Sequence, residues 1–281
     1  MKHILVPTDF SIKALNALVV ACRIAKRCQG IVHLIHVVEP LLDRYKGLVD
    51  GVQDVLPANA TEQLVSRLSE EIRQLAEAHG SDDYQISWEV LVGDTYREIS
   101  RAAERVETDL VVMGHKGYAD PSDFSLGSTT DKVIRSINAP VLTIKEVLED
   151  TGFENIVYAT DLTEHHESLA KLLKSFQDSF GSTIHIVKIN TPQDFGNDDE
   201  LKYSMDKLAR RFELTNYTHN VYSHEDEEYG IVYFANKMKA DMIAMGTHEK
   251  SGFRRLISGG SLAEEVSDHT YRPVLTFRFG L

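Results

Sequence analysis

Three glycines in the run Met113-Gly114-His115-Lys116-Gly117 … Gly127-Ser128-Thr129-Thr130 are spaced as G-x2-G-x9-G-[ST]. That spacing suits an anion cradle. Glycine lets main chain come close to a ligand and tolerates positive φ. Gly127-Ser128 opens a predicted helix, whose first N–H groups have no intrahelical partner and carry a partial positive charge. A phosphate chain fits such a place. The bland alternative, that the glycines only turn the chain between a strand and a helix, stays beside this one; the third glycine and the hydroxyls of Ser128 and Thr130 favour the cradle. The P-loop pattern G-x4-G-K-[ST] does not occur, so a P-loop phosphoryl-transfer mechanism is not supported. Nothing in the sequence resembles a nucleophile beside a base, and no catalytic residue is named.

A cradle needs strands and helices to hold it, and the chain writes them twice. Ile4-Leu5-Val6-Pro7-Thr8-Asp9-Phe10-Ser11 returns as Ile156-Val157-Tyr158-Ala159-Thr160-Asp161-Leu162-Thr163, an offset of 152. Val111-Val112-Met113-Gly114 returns as Ile243-Ala244-Met245-Gly246, an offset of 132, and Pro140-Val141-Leu142-Thr143 as Pro273-Val274-Leu275-Thr276, an offset of 133. Within each copy, short β-branched runs alternate with helical patterns, which predicts βαβ units and a parallel sheet. The first copy's strands are expected at 3–8, 31–38, 86–92, 109–113 and 140–145, mostly apolar because helices cover both faces. The first helix should start after Ser11, with Leu15, Leu18, Val19 and Cys22 inward; its counterpart follows Thr163, with Leu169, Leu172, Leu173 and Phe176. Ile99, Ala102, Ala103 and Val106 match Ile231, Phe234, Ala235 and Met238. Residues 41–60 hold extra length and read as a loop. The division is expected between 1–147 and 153–281. A last strand such as 140–145 would leave an unpaired edge, which pairing with strand 273–278 would cover.

The chain of 281 residues, 42% hydrophobic and 26% charged, has the composition of a globular protein. No run is long enough for a membrane helix, and the apolar start Met1–Pro7 is too short for a signal peptide. Two cysteines, Cys22 and Cys28, form no disulfide framework or zinc knuckle; a cytoplasmic location is expected, with Cys22 in the core. A net charge of −13 argues against nucleic acid as a partner. His165-His166 are adjacent residues that share no helix face and are expected at the surface. The acidic runs 197–200 and 225–228 each read as the opening of a helix, and no metal site is assigned to them.

The glycine spacing, the opening Ile-Leu-Val-Pro-Thr-Asp-Phe-Ser and the closing Ala-Pro-Val-Leu-Thr-Ile resemble the universal stress protein family, and the whole chain resembles a tandem member. The resemblance implies α/β architecture: two Rossmann-like domains in tandem, each a five-stranded parallel sheet ordered 3-2-1-4-5 with helices on both faces. It places an adenine nucleotide in the crevice between strands 1 and 4, where the switch-point rule also puts a ligand. Carried over, Asp9 would accept hydrogen bonds from the nucleoside, and Val37 would offer main chain to the adenine edge. Met113, Gly114, His115 and Gly117 would line the ribose and phosphates, with Gly127, Ser128, Thr129 and Thr130 holding the phosphates. Two residues keep plainer readings: Asp9 as a strand-end or capping carboxylate, His115 as a solvated loop histidine. Asp120 and Asp123, offset in part by Lys116, depart from the usual phosphate loop. A polyphosphate there would need Mg²⁺ to moderate repulsion, so AMP or ADP would compete with ATP.

In the second copy Gly114 becomes Gly246, but Gly117 becomes Glu249, while Gly127 and Ser128 become Gly260 and Ser261. A like charge about 4 Å away costs on the order of 4 kcal/mol at an effective dielectric near 20, less where solvent reaches it. Weak or absent nucleotide binding is expected there, unless Glu249 points outward and Lys250, Arg254 and Arg255 supply positive charge. The leading expectation is a stress-response regulator that binds ATP, ADP or AMP in its first domain, any hydrolysis being slow, and that presents a surface to an unidentified protein partner. The competing readings are a tandem scaffold that binds no nucleotide and a weak ATPase. The expected assembly is an intramolecular pseudo-dimer, with further homodimerisation open.

Overall fold

In each half, parallel strands connected by helices form the ladder that the alternating pattern requires. The computed structural model describes residues 1–40, 60–115, 128–146, 152–162, 167–248, 266 and 270–279. The first half contains β1 (His3–Pro7), α1 (Ile12–Cys28), β2 (Ile31–Val38), α2 (Ala60–His79), β3 (Gln85–Val92), α3 (Thr95–Arg105), β4 (Leu110–Gly114), α4 (Ser128–Ser136) and β5 (Val141–Ile144). The second contains β6 (Asn155–Ala159), α5 (Glu167–Phe180), β7 (Thr183–Asn190), α6 (Asp198–Arg211), β8 (Tyr217–Ser223), α7 (Glu227–Lys237), β9 (Met242–His248) and β10 (Val274–Phe279). They join in one ten-stranded sheet, β3-β2-β1-β4-β5-β10-β9-β6-β7-β8. Each half is therefore a five-stranded parallel sheet of order 3-2-1-4-5, as expected. The halves meet at the antiparallel β5–β10 pair, with Leu142 opposite Leu275 and Thr143 opposite Val274.

Strand periodicity decides which helix each strand faces. Ile4 and Val6 belong to a core layer with α1 and α2, whereas Leu5 packs with α3 and α4 on the other face. Ile156 and Tyr158 join that first layer with α5 and α6, while Val157 packs with α7. One apolar layer therefore runs under four helices and across both halves. An antiparallel seam turns one half end for end without turning it over, which keeps α1 and α5 on the same side. Their contact is direct: the Cys28 thiol donates to Ser179 Oγ at 3.3 Å.

The buried stripe of α1 differs from the expected one. Ala14, Ala17, Leu18, Ala21, Cys22, Ile24 and Ala25 are buried, whereas Leu15 and Val19 are half-buried. Small alanines let the helix lie close to the sheet, and larger apolar residues flank the contact. Cys22 is in the core as expected, and burial pushes its thiol pKa up. In α5 all four expected residues are buried, and Ile99, Ala102 and Ala103 match Ile231, Phe234 and Ala235 in burial. The acidic runs open α6 and α7 behind the caps Asn197 and Asp226. Thr163, His165 and His166, the 41–59 excursion and the 147–151 boundary lie outside the described residues.

The repeat extends to hydrogen bonds. The Asp109 carboxylate accepts from His3 N at 3.1 Å, and that of Asp241 accepts from Asn155 N at 2.8 Å. His33 bridges His3 and Ser87, as His185 bridges Asn155 and Thr218. Burial holds both bridging imidazoles below the usual histidine range.

At the seam, buried hydroxyls cross reciprocally. Thr143 Oγ1 donates to the Val274 carbonyl and Thr276 Oγ1 to the Val141 carbonyl, each at 3.2 Å. Thr143→Val and Thr276→Val should each lower stability by about 1 kcal/mol. The double variant should lose about the sum, read as a shift in the urea midpoint; no shift would show that the crossed hydroxyls contribute nothing.

Candidate functional site

β1 and β4 lie side by side, yet the chain leaves them on opposite faces, into α1 and α4. A crevice must open at their carboxyl ends. On the β1 side the turn Thr8-Asp9-Phe10-Ser11 forms its wall. Phe10 takes a left-handed conformation, φ 62°, unusual for a residue with a side chain. Its N–H is held by Thr8 Oγ1 at 3.0 Å. Asp9 Oδ1 accepts from Ser11 N at 3.0 Å, and Ser11 caps α1 by accepting from Ala14 N at 3.2 Å. Asp9 therefore does the plainer work of shaping the turn, with its side chain exposed at the crevice.

Val37 lies near the end of β2. The Ile35 carbonyl accepts from Thr8 N at 2.8 Å. In a parallel ladder alternate residues direct their main-chain groups to the same neighbour. Val37 consequently turns its N–H and C=O toward the β1 side, past the point where β1 has ended.

On the β4 side, the Met113 side chain is buried in the core with α3 and α4, so Met113 reaches the crevice by main chain alone. Gly114 is required for close approach. A Cβ there would sit 3.0 Å from the carbonyl carbon of Lys13 and 3.1 Å from its oxygen, in the first turn of α1. His115 is not the solvated loop histidine expected: it is 1% exposed, and its N–H donates to the Ile144 carbonyl at 2.9 Å. Thr130, 4% exposed, donates its hydroxyl to the Gly114 carbonyl at 3.0 Å. That bond ties the start of α4 to the end of β4. Ser128 is the first residue of α4, and Thr129 is half-buried beside it. Gly117 and Gly127, like Lys116, Asp120 and Asp123, lie outside the described residues. Asp9, Val37, Gly114, His115 and the start of α4 are thus brought to one end of the sheet.

His36, which the sequence pattern did not single out, also stands at this turn. Its Nδ1–H donates to the Thr8 carbonyl at 2.7 Å, and its ring lies 4.9 Å from that of Phe10. The matching turn in the second half is built alike, with Leu162 at φ 65° and its N–H on Thr160 Oγ1 at 3.0 Å. Its neighbours differ. The offset of 152 replaces Phe10 by Leu162 and His36 by Lys188. Lys188, 4% exposed, pairs with Asp194, and the Asn190 side chain holds Gly196 through bonds of 3.0 and 3.2 Å. The segment after β7 is thereby folded back onto the carboxyl end of that strand. The offset alone could have flagged this lysine. Glu249, Lys250, Arg254, Arg255, Gly260 and Ser261 lie outside the described residues, where the question of which way Glu249 points also falls. Among the described residues there is no cluster of three or more His, Cys, Asp or Glu side chains that could hold a metal. No described helix is long and apolar enough to cross a membrane.

Comparison with known proteins agrees with this architecture. The sequence profile of the universal stress protein family matches residues 1–145 and again residues 152–278. A universal stress protein of Methanocaldococcus jannaschii is 33% identical over 153 residues, covering 52% of this chain and 82% of that protein. The crystal structure of a universal stress protein from Archaeoglobus fulgidus superposes with a TM-score of 0.73 at 20% identity, covering 99% of this chain and 98% of the other, and shares its fold. A further universal stress protein, 24% identical over 51% of this chain with a TM-score of 0.37, has a crystal structure in complex with cAMP.

Gly114→Ala should lower stability by roughly 1–3 kcal/mol through overpacking against α1. Urea denaturation measures this, and a wild-type midpoint would mean that the approach of α1 to β4 is not tight.

Proposed function

This chain belongs to the universal stress protein family, with two of its domains in tandem, and from that premise we propose that its first domain, residues 1–147, binds an adenine nucleotide as a regulatory ligand. The observation that carries the proposal is the convergence at one strand-order reversal of bare main chain at Val37 and Gly114, an exposed carboxylate at Asp9, and the amino end of α4. Main chain and a carboxylate suit the base and ribose; a helix amino end suits phosphate. The Phe10–His36 pair adds an aromatic surface beside the place proposed for the base. Gly117, Gly127, Ser128 and Thr129 complete the phosphate side. Thr130 acts through Gly114, because its hydroxyl proton is directed to that carbonyl.

The second domain, residues 153–281, is proposed to bind nucleotide weakly or not at all. Leu162 and Lys188 replace the aromatic pair, the 191–197 segment folds onto the end of β7, and Glu249 replaces a glycine. The protein acts in the cytoplasm, hydrolyses nucleotide slowly if at all, and presents a nucleotide-dependent surface to a protein partner. Such a response is limited by the ligand's differential affinity for the two conformations. One observation favours the competing scaffold reading: Asp120 and Asp123 place negative charge in the phosphate loop. Mg²⁺ would offset it for ATP, and AMP or ADP would need it less.

Mass spectrometry of the freshly purified chain should find an adenine nucleotide, and calorimetry should find one site per chain. Gly117→Glu, which copies position 249, should abolish both signals. Two equal sites, or retention by the variant, would contradict the assignment.

A further inference from the structure

We infer that Arg278, supplied by the second domain, is a positioning residue for the helix that opens onto the first domain's crevice. The inference rests on the nucleotide reading for its ligand and on the seam for its mechanics. α4 has nine residues, too few to be stable alone in water. Val133 and Ile134 seat it in the core, and what grips its two ends fixes its direction on that seat. At the amino end the grip is Thr130 on the Gly114 carbonyl, 3.0 Å. At the carboxyl end, the Arg135 carbonyl belongs to the last turn, whose acceptors have no intrahelical donor. The Arg278 guanidinium reaches across the β5–β10 seam and donates to it. A cation there also meets the negative end of the helix dipole.

Arg135 links that grip to the phosphate end. Its Nε lies 2.6 Å from the Asp131 carboxylate, in the first turn of the same helix. An acidic group in that turn would oppose a bound phosphate, and Arg135 offsets it. Arg278 thus holds the main chain of the residue whose side chain moderates Asp131. The offset of 133 pairs Arg278 with Lys145, whose ammonium lies 6.0 Å over the Tyr271 ring of the second half. A second domain without nucleotide of its own would in this way complete the site of the first.

Hydrogen exchange and calorimetry on the full chain test this, with Arg278→Ala and Arg278→Lys as variants. In the alanine variant the α4 amides should exchange faster while those of β6–β8 keep wild-type protection. ADP affinity should fall roughly two- to fivefold, and adenosine, which has no phosphate, should bind as to wild type. The lysine variant should recover most of the loss. Unchanged α4 exchange or unchanged ADP affinity would overturn the inference. So would an equal loss for adenosine and ADP, the mark of general loosening. A wild-type chain that binds neither ligand rejects the nucleotide reading and the ligand half of the inference with it; α4 exchange then decides the positioning half.

Discussion

A parallel sheet whose strand order reverses must leave a gap where two neighbouring strands send their helices to opposite faces. β1 and β4 are that pair in the first half, and β6 and β9 hold the same places in the strand order of the second. The local features of the site follow from keeping this gap shaped. Phe10 accepts left-handed backbone so that the chain can turn out of β1 and straight into α1, and Leu162 takes the same conformation after β6. Such conformations cost on the order of 1–3 kcal/mol and persist only where the surroundings enforce them; here a threonine hydroxyl does so in each half. Gly114 is bare because the first turn of α1 presses against it. A bare position that would suit a ligand is thus required by packing in any case.

The seam between β5 and β10 is the second constraint. Each is the last strand of its own half, and each would be an open edge alone. Paired, they make one sheet and one apolar layer beneath four helices. Antiparallel pairing also sends the two crevices to opposite ends of the sheet. The second half can therefore lose ligand features without disturbing the first, and keep only its role in the seam. The folded-back 191–197 segment and Lys188 fit a crevice free to diverge in this way.

Much of this was legible in the sequence because repetition is a strong signal. Offsets of 132, 133 and 152 marked the same strands in both halves, and they hold down to paired carboxylates at Asp109 and Asp241; the family resemblance implied the strand order, and the open edge of the last strand pointed to the seam. Less legible was anything set by contact between distant segments. Periodicity marked Leu15 and Val19 for burial, yet it cannot register that alanine permits a closer approach than leucine. His115 reads as a loop residue by position, and only the fold covers it. Thr130 sits in a motif suited to phosphate, but its proton goes to a carbonyl sixteen residues away. The Arg278–Arg135 bond spans the seam and has no local pattern at all.

Main chain at the end of β1 and β4, in the first domain alone, is the centre of the account. A crystal structure of the full chain grown with ADP addresses it most directly. The base should lie beside Asp9 and Val37, with the phosphates at the amino end of α4 and the second crevice empty. Nucleotide in the second crevice, or a first crevice that stays vacant at saturating ADP, would contradict the account.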